Sequence, residues 1–226
     1  MRRKFFSLLC LLATFILCGA SYRPHVRAVE SGYEAAPTPS ISSLKPLIII
    51  DPGHGGTDEG AKVNAFMEKK VTLVTALMVR KHLEELGYRV LMTRSKDVYL
   101  PLPRRVAVAN KAKASLFVSI HFNSSPGGDA QGIEIFYFDS KELWRTKASR
   151  RLAHCILRGL IGETGAVSRG VKQGNFHVIR ETDMPAVLVE GGFMTHKEER
   201  ALLRDKEYLN KLAVGIADGI DRYMKL

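Results

Sequence analysis

Four side chains in this sequence are of the kinds that activate water: His54, Glu68, His121 and Glu190. Two imidazoles and one carboxylate, with a fourth position left open, make the ligand set of a catalytic zinc site. A second carboxylate off the metal can then accept and return a proton. A zinc ion so bound lowers the pKa of its water from about 16 to about 7, supplying hydroxide near neutrality. The residue types leave open which carboxylate ligates and which carries the proton. Each of the four, taken singly, also has a plain structural reading, such as a turn histidine or an acid favoured by a helix dipole.

How the chain delivers them is more informative. Ile48, Ile49 and Ile50 form an apolar run expected of a strand buried on both faces, and Asp51-Pro52-Gly53 stops it. His54 follows at the tip, with glycines on both sides that leave room for a partner. A second strand, 116–121, ends in His121, and a third, 186–189, ends in Glu190. Glu68 opens a helix expected over 67–86, where Ala76, Val79, Leu83 and Leu86 mark the core face and Gly87 the stop. Further strands are expected at 89–93, 133–138 and 176–179, and further helices at 101–113, 141–161 and from Tyr208 onward. This alternation predicts an α/β fold, a three-layer sandwich around a mixed, mostly parallel sheet with one antiparallel strand, as a single domain over 47–226. The carboxyl ends of its parallel strands share one edge, where all four side chains can converge. Of the remaining candidates, His82 reads as solvated and His177 as a packed strand residue. His154 and His196 lack supporting context, and Trp144 reads as core.

The 226 residues, 46% apolar and 25% charged, suit one globular core. The start differs: Arg2-Arg3-Lys4 precedes an uncharged apolar run over 5–18, and Gly19-Ala20 before Ser21 suits cleavage. Residues 1–20 therefore read as a signal peptide, with a retained membrane anchor as the alternative, and the protein as exported to the periplasm or cell envelope. Residues 21–46, with Pro24, Pro37, Pro39 and Pro46, read as a flexible linker. Within it, Ser42-Ser43-Leu44-Lys45 matches S-x-x-K, but no partner motif accompanies it. Cleavage leaves Cys155 as the sole cysteine, so no internal disulfide is expected, and Cys155 reads as a small core residue. Cleavage also removes three basic residues and no acid, lowering the net charge from +11 to +8. A basic exported chain meets anionic wall polymers or lipid head groups, and no nucleic-acid motif is present.

The motifs Asp51-Pro52-Gly53-His54-Gly55-Gly56, Glu68-Lys69, Ser119-Ile120-His121-Phe122-Asn123 and Leu188-Val189-Glu190-Gly191-Gly192-Phe193 occur in that order. They resemble those of the zinc-dependent N-acetylmuramoyl-L-alanine amidases of cell separation, from about Leu47 to the C-terminus. The resemblance implies one zinc ion (Zn2+) on His54, Glu68 and His121, with Glu190 as general base and acid. It implies peptidoglycan as the partner, cut between the lactyl group of N-acetylmuramic acid and the L-alanine of the stem peptide. Asn123 and Arg180 are candidate donors to substrate, with a surface salt bridge equally open to Arg180. Glu59 stands where the family often has proline, and Thr195-His196 where Ser-Asn is common; neither is a ligand position. Regulated relatives carry a long insertion after the strand equivalent to 133–138, with a helix that blocks the zinc. Here only Asp139-Ser140 is expected to separate that strand from the next helix, so a site open without an activator protein is expected. Separately, the protein is expected to be a monomer, although no sequence pattern marks its oligomeric state. A peptidoglycan carboxypeptidase and a non-catalytic zinc-containing wall-binding protein are the alternatives, and the spare carboxylate argues against the second.

Overall fold

Ile48 and Ile50 point to one side of the sheet and Ile49 to the other, and all three are fully buried. That two-sided burial is the signature of a strand covered by helices on both faces. In the computed structural model, which describes residues 45–226, they lie on β1 (Leu47–Pro52). The signal peptide and nearly all of the linker fall outside the described residues, as does Ser42. After β1 come a short hairpin of β2 (Lys62–Val63) and β3 (Phe66–Met67), then α1 (Glu68–Glu85), β4 (Arg89–Met92) and α2 (Leu102–Lys111). The chain continues through β5 (Leu116–Asn123), β6 (Ile133–Tyr137), α3 (Leu143–Thr164), β7 (Ser168–Gln173) and α4 (His177–Arg180). It closes with β8 (Ala186–Phe193), α5 (Lys197–Leu202) and α6 (Lys206–Met224).

The six-stranded sheet has the order β4-β1-β5-β8-β6-β7. β4, β1, β5 and β8 are mutually parallel; β6 runs antiparallel to β8, and β7 runs parallel to β6. The sheet is thus mixed and mostly parallel, with two reversed strands instead of one. Helices α1, α3 and α6 cover one face through Val79, Leu83, Leu152, Ile156, Leu212 and Ile216. The thinner opposite layer is α2 and α4, packed through Val106, Ala109, Val178 and Ile179 on Ile49, Phe117 and Leu188.

The expected strand at 176–179 is a correction: it is the short helix α4, and the edge strand is β7, eight residues earlier. A four-residue apolar run does not distinguish strand from helix, and β7 carries one large apolar residue, Val171, because it lies at the sheet edge. Trp144 is a second correction, being 55% exposed. Cys155 is half-buried and unpaired. The link from β6 to α3 is residues 138–142, slightly longer than the sequence pattern indicates.

Helices α3 and α6 approach backbone to backbone. A Cβ added to Gly215 would lie 2.8 Å from Leu160 Cα, and one on Gly159 or Gly219 would overlap the facing helix outright. Gly219→Ala therefore overpacks the seam by about 1–3 kcal/mol, more than its gain of up to about 1 kcal/mol in helix propensity. Gly162, on α3 with nothing within 4 Å, has only the gain. Calorimetric melting should place Gly219→Ala below the wild type and Gly162→Ala above it, by about 2–4 °C per kcal/mol.

Candidate metal centre

Alternate residues on the α2–α4 face change character along the strands. On β5 they read Phe117, Ser119, His121; on β8, Ala186, Leu188, Glu190; on β6, Phe136 and then Glu134. The apolar members pack under α2 and α4, and the polar ones lie beyond, toward the carboxyl ends of β5 and β8. His121 pairs with Glu190 across β5–β8, and Glu190 pairs with Glu134 across β8–β6, so the three form one row.

His54 reaches the same edge just past β1, in a left-handed backbone conformation with φ of 60°. Its Nδ1 is 2.8 Å from Asp58 Oδ1, which turns Nε2 toward Glu68 Oε1 at 3.1 Å. His121 Nδ1 is 2.9 Å from that same oxygen. Glu68 is the first residue of α1 and only 4% exposed. Its carboxylate is held from behind by the backbone N–H groups of Ala61, 2.8 Å from Oε2, and Phe122, 3.1 Å from Oε1. The donor atoms of His54, Glu68 and His121 lie within 4.8 Å of one another, and among the described residues they are the one such cluster of potential metal ligands.

Two glycines make this convergence possible. A side chain on Gly53 would overlap the His121 ring, and a Cβ on Gly60 would stand 2.6 Å from both Glu68 Oε2 and the His54 ring. Two imidazole nitrogens and a carboxylate oxygen facing one small space, with His54 oriented by Asp58 and Glu68 by backbone N–H groups, fit a divalent ion of the zinc type.

The charges are unevenly settled. Burial acts to raise the Glu68 pKa, but hydrogen bonds with His121 and His54 outweigh it and hold the carboxyl well below the usual range. Burial likewise opposes His54 protonation, while Glu68 and Asp58 together raise its pKa above the ordinary imidazole value. Glu134 is buried too, yet Lys172 and Arg169 keep its pKa low. Glu190 has no such help: burial, then the nearby charges of Glu68 and Glu134, push its pKa well above the usual value. Its Oε2 is sealed from solvent and has no hydrogen-bond partner.

The loop that carries His54 is clamped by two buried arginines, which the sequence reading passed over. Arg105 pairs with Asp51 at 2.8 Å and donates to the carbonyls of Pro52 and His54, both at 2.6 Å. Arg94 donates to the carbonyls of Pro52 at 3.1 Å and Gly53 at 2.7 Å. Burial and the neighbouring Arg105 bring the Arg94 pKa down to about 10. Asp58, Glu134, Arg169 and Lys172 were also passed over. Only the H-x-x-x-D spacing of His54 and Asp58 could have been noticed in the sequence.

The structure brings His54, Glu68, His121 and Glu190 together. Asn123 stands at the rim, its Nδ2 donating to Glu134 Oε1 at 2.8 Å and its Oδ1 accepting from Ser124 N–H. Arg180 is a correction. It sits at the opposite sheet edge, where β6 ends and β8 begins, in a cleft with Phe138 and Asp183, paired with Glu181 at 2.6 Å. His177 opens α4 beside it, and Lys45 lies 5.0 Å from the Tyr88 ring centre.

Gly53→Ala should displace the His121 ring, and Asp58→Asn should loosen His54. Each is expected to weaken zinc binding by about 10–100-fold in calorimetric titration, with unchanged circular dichroism.

A family model described as N-acetylmuramoyl-L-alanine amidase matches residues 48–222. YqiI of Bacillus subtilis strain 168, named as an uncharacterized protein, is 42% identical over 189 residues, covering 82% of this chain and 90% of that one. The N-acetylmuramoyl-L-alanine amidase LytC of the same strain is 38% identical over 178 residues, covering 79% of this chain and 35% of the longer LytC. Among solved structures, the catalytic domain of the amidase CwlV from Paenibacillus polymyxa var. colistinus is 42% identical with a TM-score of 0.74, covering 80% of this chain and 98% of that one. The CwlD amidase of Clostridioides difficile, solved in complex with the GerS lipoprotein, is 30% identical with a TM-score of 0.75, covering 80% and 99%. Matched by sequence along most of its length and by fold across its described residues, the chain belongs to the N-acetylmuramoyl-L-alanine amidase family.

Proposed function

We propose that this protein is an exported, zinc-dependent N-acetylmuramoyl-L-alanine amidase that frees stem peptides from peptidoglycan. The observation that carries the reading is the unpartnered carboxylate oxygen of Glu190, set in one row with His121 and beside the His54–Glu68–His121 cluster. A purely structural metal site has no use for a buried acid left without a partner.

His54, Glu68 and His121 would hold the zinc ion, which when bound would supply a Lewis acid and bring the pKa of water near 7. Glu190 takes the proton of the attacking water, for which its desolvated carboxylate has raised affinity. It then returns that proton to the departing L-alanine nitrogen, so no free amide anion forms. Asp58 keeps His54 in one tautomer, and Gly53 and Gly60 keep the cleft narrow behind the ligands. Asn123 retains one amide proton for glycan or stem peptide. The substrate side is open: the His54 and His121 side chains keep 22% and 19% of their exposure, and residues 138–142 lie at the far sheet edge. Turnover without a partner protein follows, although CwlD was solved with a lipoprotein. Among the described residues no helix is long and apolar enough to cross a membrane; the proposed export rests on residues 1–20.

The purified protein, incubated with muropeptides and followed by mass spectrometry, should release stem peptides that begin at L-alanine. Chelator should stop the release and zinc restore it. Release of D-alanine alone would mark a carboxypeptidase instead, and strict need for a partner would close the open-site reading.

Glu190→Gln separates chemistry from stability. In the metal-free protein the folded state binds the Glu190 proton more tightly than the unfolded chain does. The cost of the bare carboxylate is therefore absent at about pH 4 and grows as pH rises through the ordinary carboxylate range. The metal-free variant should melt above the wild type at about pH 8 and alongside it at about pH 4. Hydrolysis should fall by about 10²–10⁴-fold with zinc still bound. Substantial activity in this variant would remove Glu190 from its role.

A further inference from the structure

The exposed face of α3 carries Lys147, Arg150, Arg151 and Arg158, and none of them forms an ion pair among the described residues. Lys147, Arg151 and Arg158 recur at intervals of four and seven, a single stripe about 16 Å long. The glycine seam, with Gly159 against Gly215 and Ile156 against Gly219, sets α6 antiparallel to α3. That arrangement brings Arg222 and Leu226 beside the first half of α3, and the two helices enclose a groove of about 890 Å³. No Asp or Glu side chain lines the groove. Of the acids adjacent in sequence to groove residues, Glu142 accepts from Trp144 Nε1 and Asp221 is paired with Lys225 and Tyr88, while Asp218 lines a separate cleft with His82 and Leu86.

Apolar groups stand at the same end. Leu143, Trp144 and Leu226 are 70%, 55% and 74% exposed, and Trp144 and Leu226 line the groove. Unpaired lysine and arginine beside exposed tryptophan and leucine is the composition of a surface that seats at a lipid interface, where the ring enters the headgroup layer and the cations meet phosphate. The position agrees. Trp144 also touches a cleft formed with Ser115 and Pro185, just before β5 and β8, so this end lies at the sheet edge opposite His121 and Glu190. Leu47 lies at that edge as well, its carbonyl accepting from Ser115 N–H, so the chain enters the domain there.

We propose that this corner of α3 and α6 docks the domain on an anionic phospholipid surface, with the metal cleft facing away from the bilayer. The cleft would then address the wall while the opposite end rests on the membrane. A linear anionic polymer is the other candidate occupant, but it gives no account of the exposed leucines.

Trp144 is the only tryptophan in the sequence, so its fluorescence reports this face directly. The test uses residues 45–226, which hold the whole described core and correspond to the separately solved CwlV catalytic domain. With vesicles of phosphatidylglycerol and phosphatidylcholine in equal parts, Trp144 emission should shift to the blue and the protein should sediment with the lipid. Phosphatidylcholine alone should give neither. The double variant Arg151→Glu/Arg158→Glu should bind at least tenfold more weakly, at about fivefold per cation removed. The charge-matched Lys206→Glu/Lys211→Glu, on exposed positions of α6 outside the groove, should bind as the wild type does. Circular dichroism verifies the fold of each variant, and binding is read without hydrolysis, so the result is independent of the amidase reading. Equal loss in both double variants, sedimentation without a blue shift, or displacement from vesicles by soluble polyphosphate at matched phosphate and ionic strength would each overturn the proposal.

Discussion

Everything at the cleft depends on how the carbonyls of Pro52, Gly53 and His54 are satisfied after β1 ends. A loop that leaves a buried strand abruptly strands its backbone oxygens away from water, each at a cost of a hydrogen bond. Arg94 and Arg105 meet that need with guanidinium forks, one from the segment just after β4 and one from α2. Asp51, itself buried, balances Arg105 and accepts from Thr93 on one side and Ser119 on the other. The loop is thereby fixed to β4, β5 and α2 together. Such a network adds little net stability over apolar packing, but losing one member would leave a buried charge exposed to none of its partners. Its return is positional. His54 is held in a left-handed conformation that a free histidine seldom adopts, and Gly53 is held where the His121 ring needs room.

The catalytic edge was legible in the sequence because it is written in short-range code. Three apolar strands terminate in a functional group, and strand parallelism alone carries those ends to one side. The amphipathic face of α1 and the glycine after it were equally plain. What stayed hidden depends on long-range pairing. Arg94 and Arg105 act on residues more than forty positions away, and nothing local distinguishes them from solvated arginines. Glu134 meets Glu190 only because β6 reverses direction, a property of the sheet and not of the segment. Arg180 misled for the complementary reason: lying near the last strand in sequence, it is delivered to the beginning of β8, whereas the chemistry gathers at its end.

Within a strongly basic protein the cleft concentrates three carboxylates, Glu68, Glu190 and Glu134. Two of them are settled: Glu68 by the imidazoles and backbone donors, Glu134 by Arg169, Lys172 and Asn123. Glu190 alone is not, and the strain of the site is concentrated in that one group. A cation in the cluster relieves it most directly, which couples occupancy of the metal position to the ionisation of the acid beside it.

The seam between α3 and α6 has a consequence for how this sequence can change over time. Most core contacts can drift, since a larger residue on one side can be matched by a smaller one opposite. At Gly159, Gly215 and Gly219 that exchange has no second move, because every replacement adds atoms and none of the three can give any up. The helix pair is thus open to variation on its charged outer surface and closed along its inner line. Two faces of the same helix evolve under different rules.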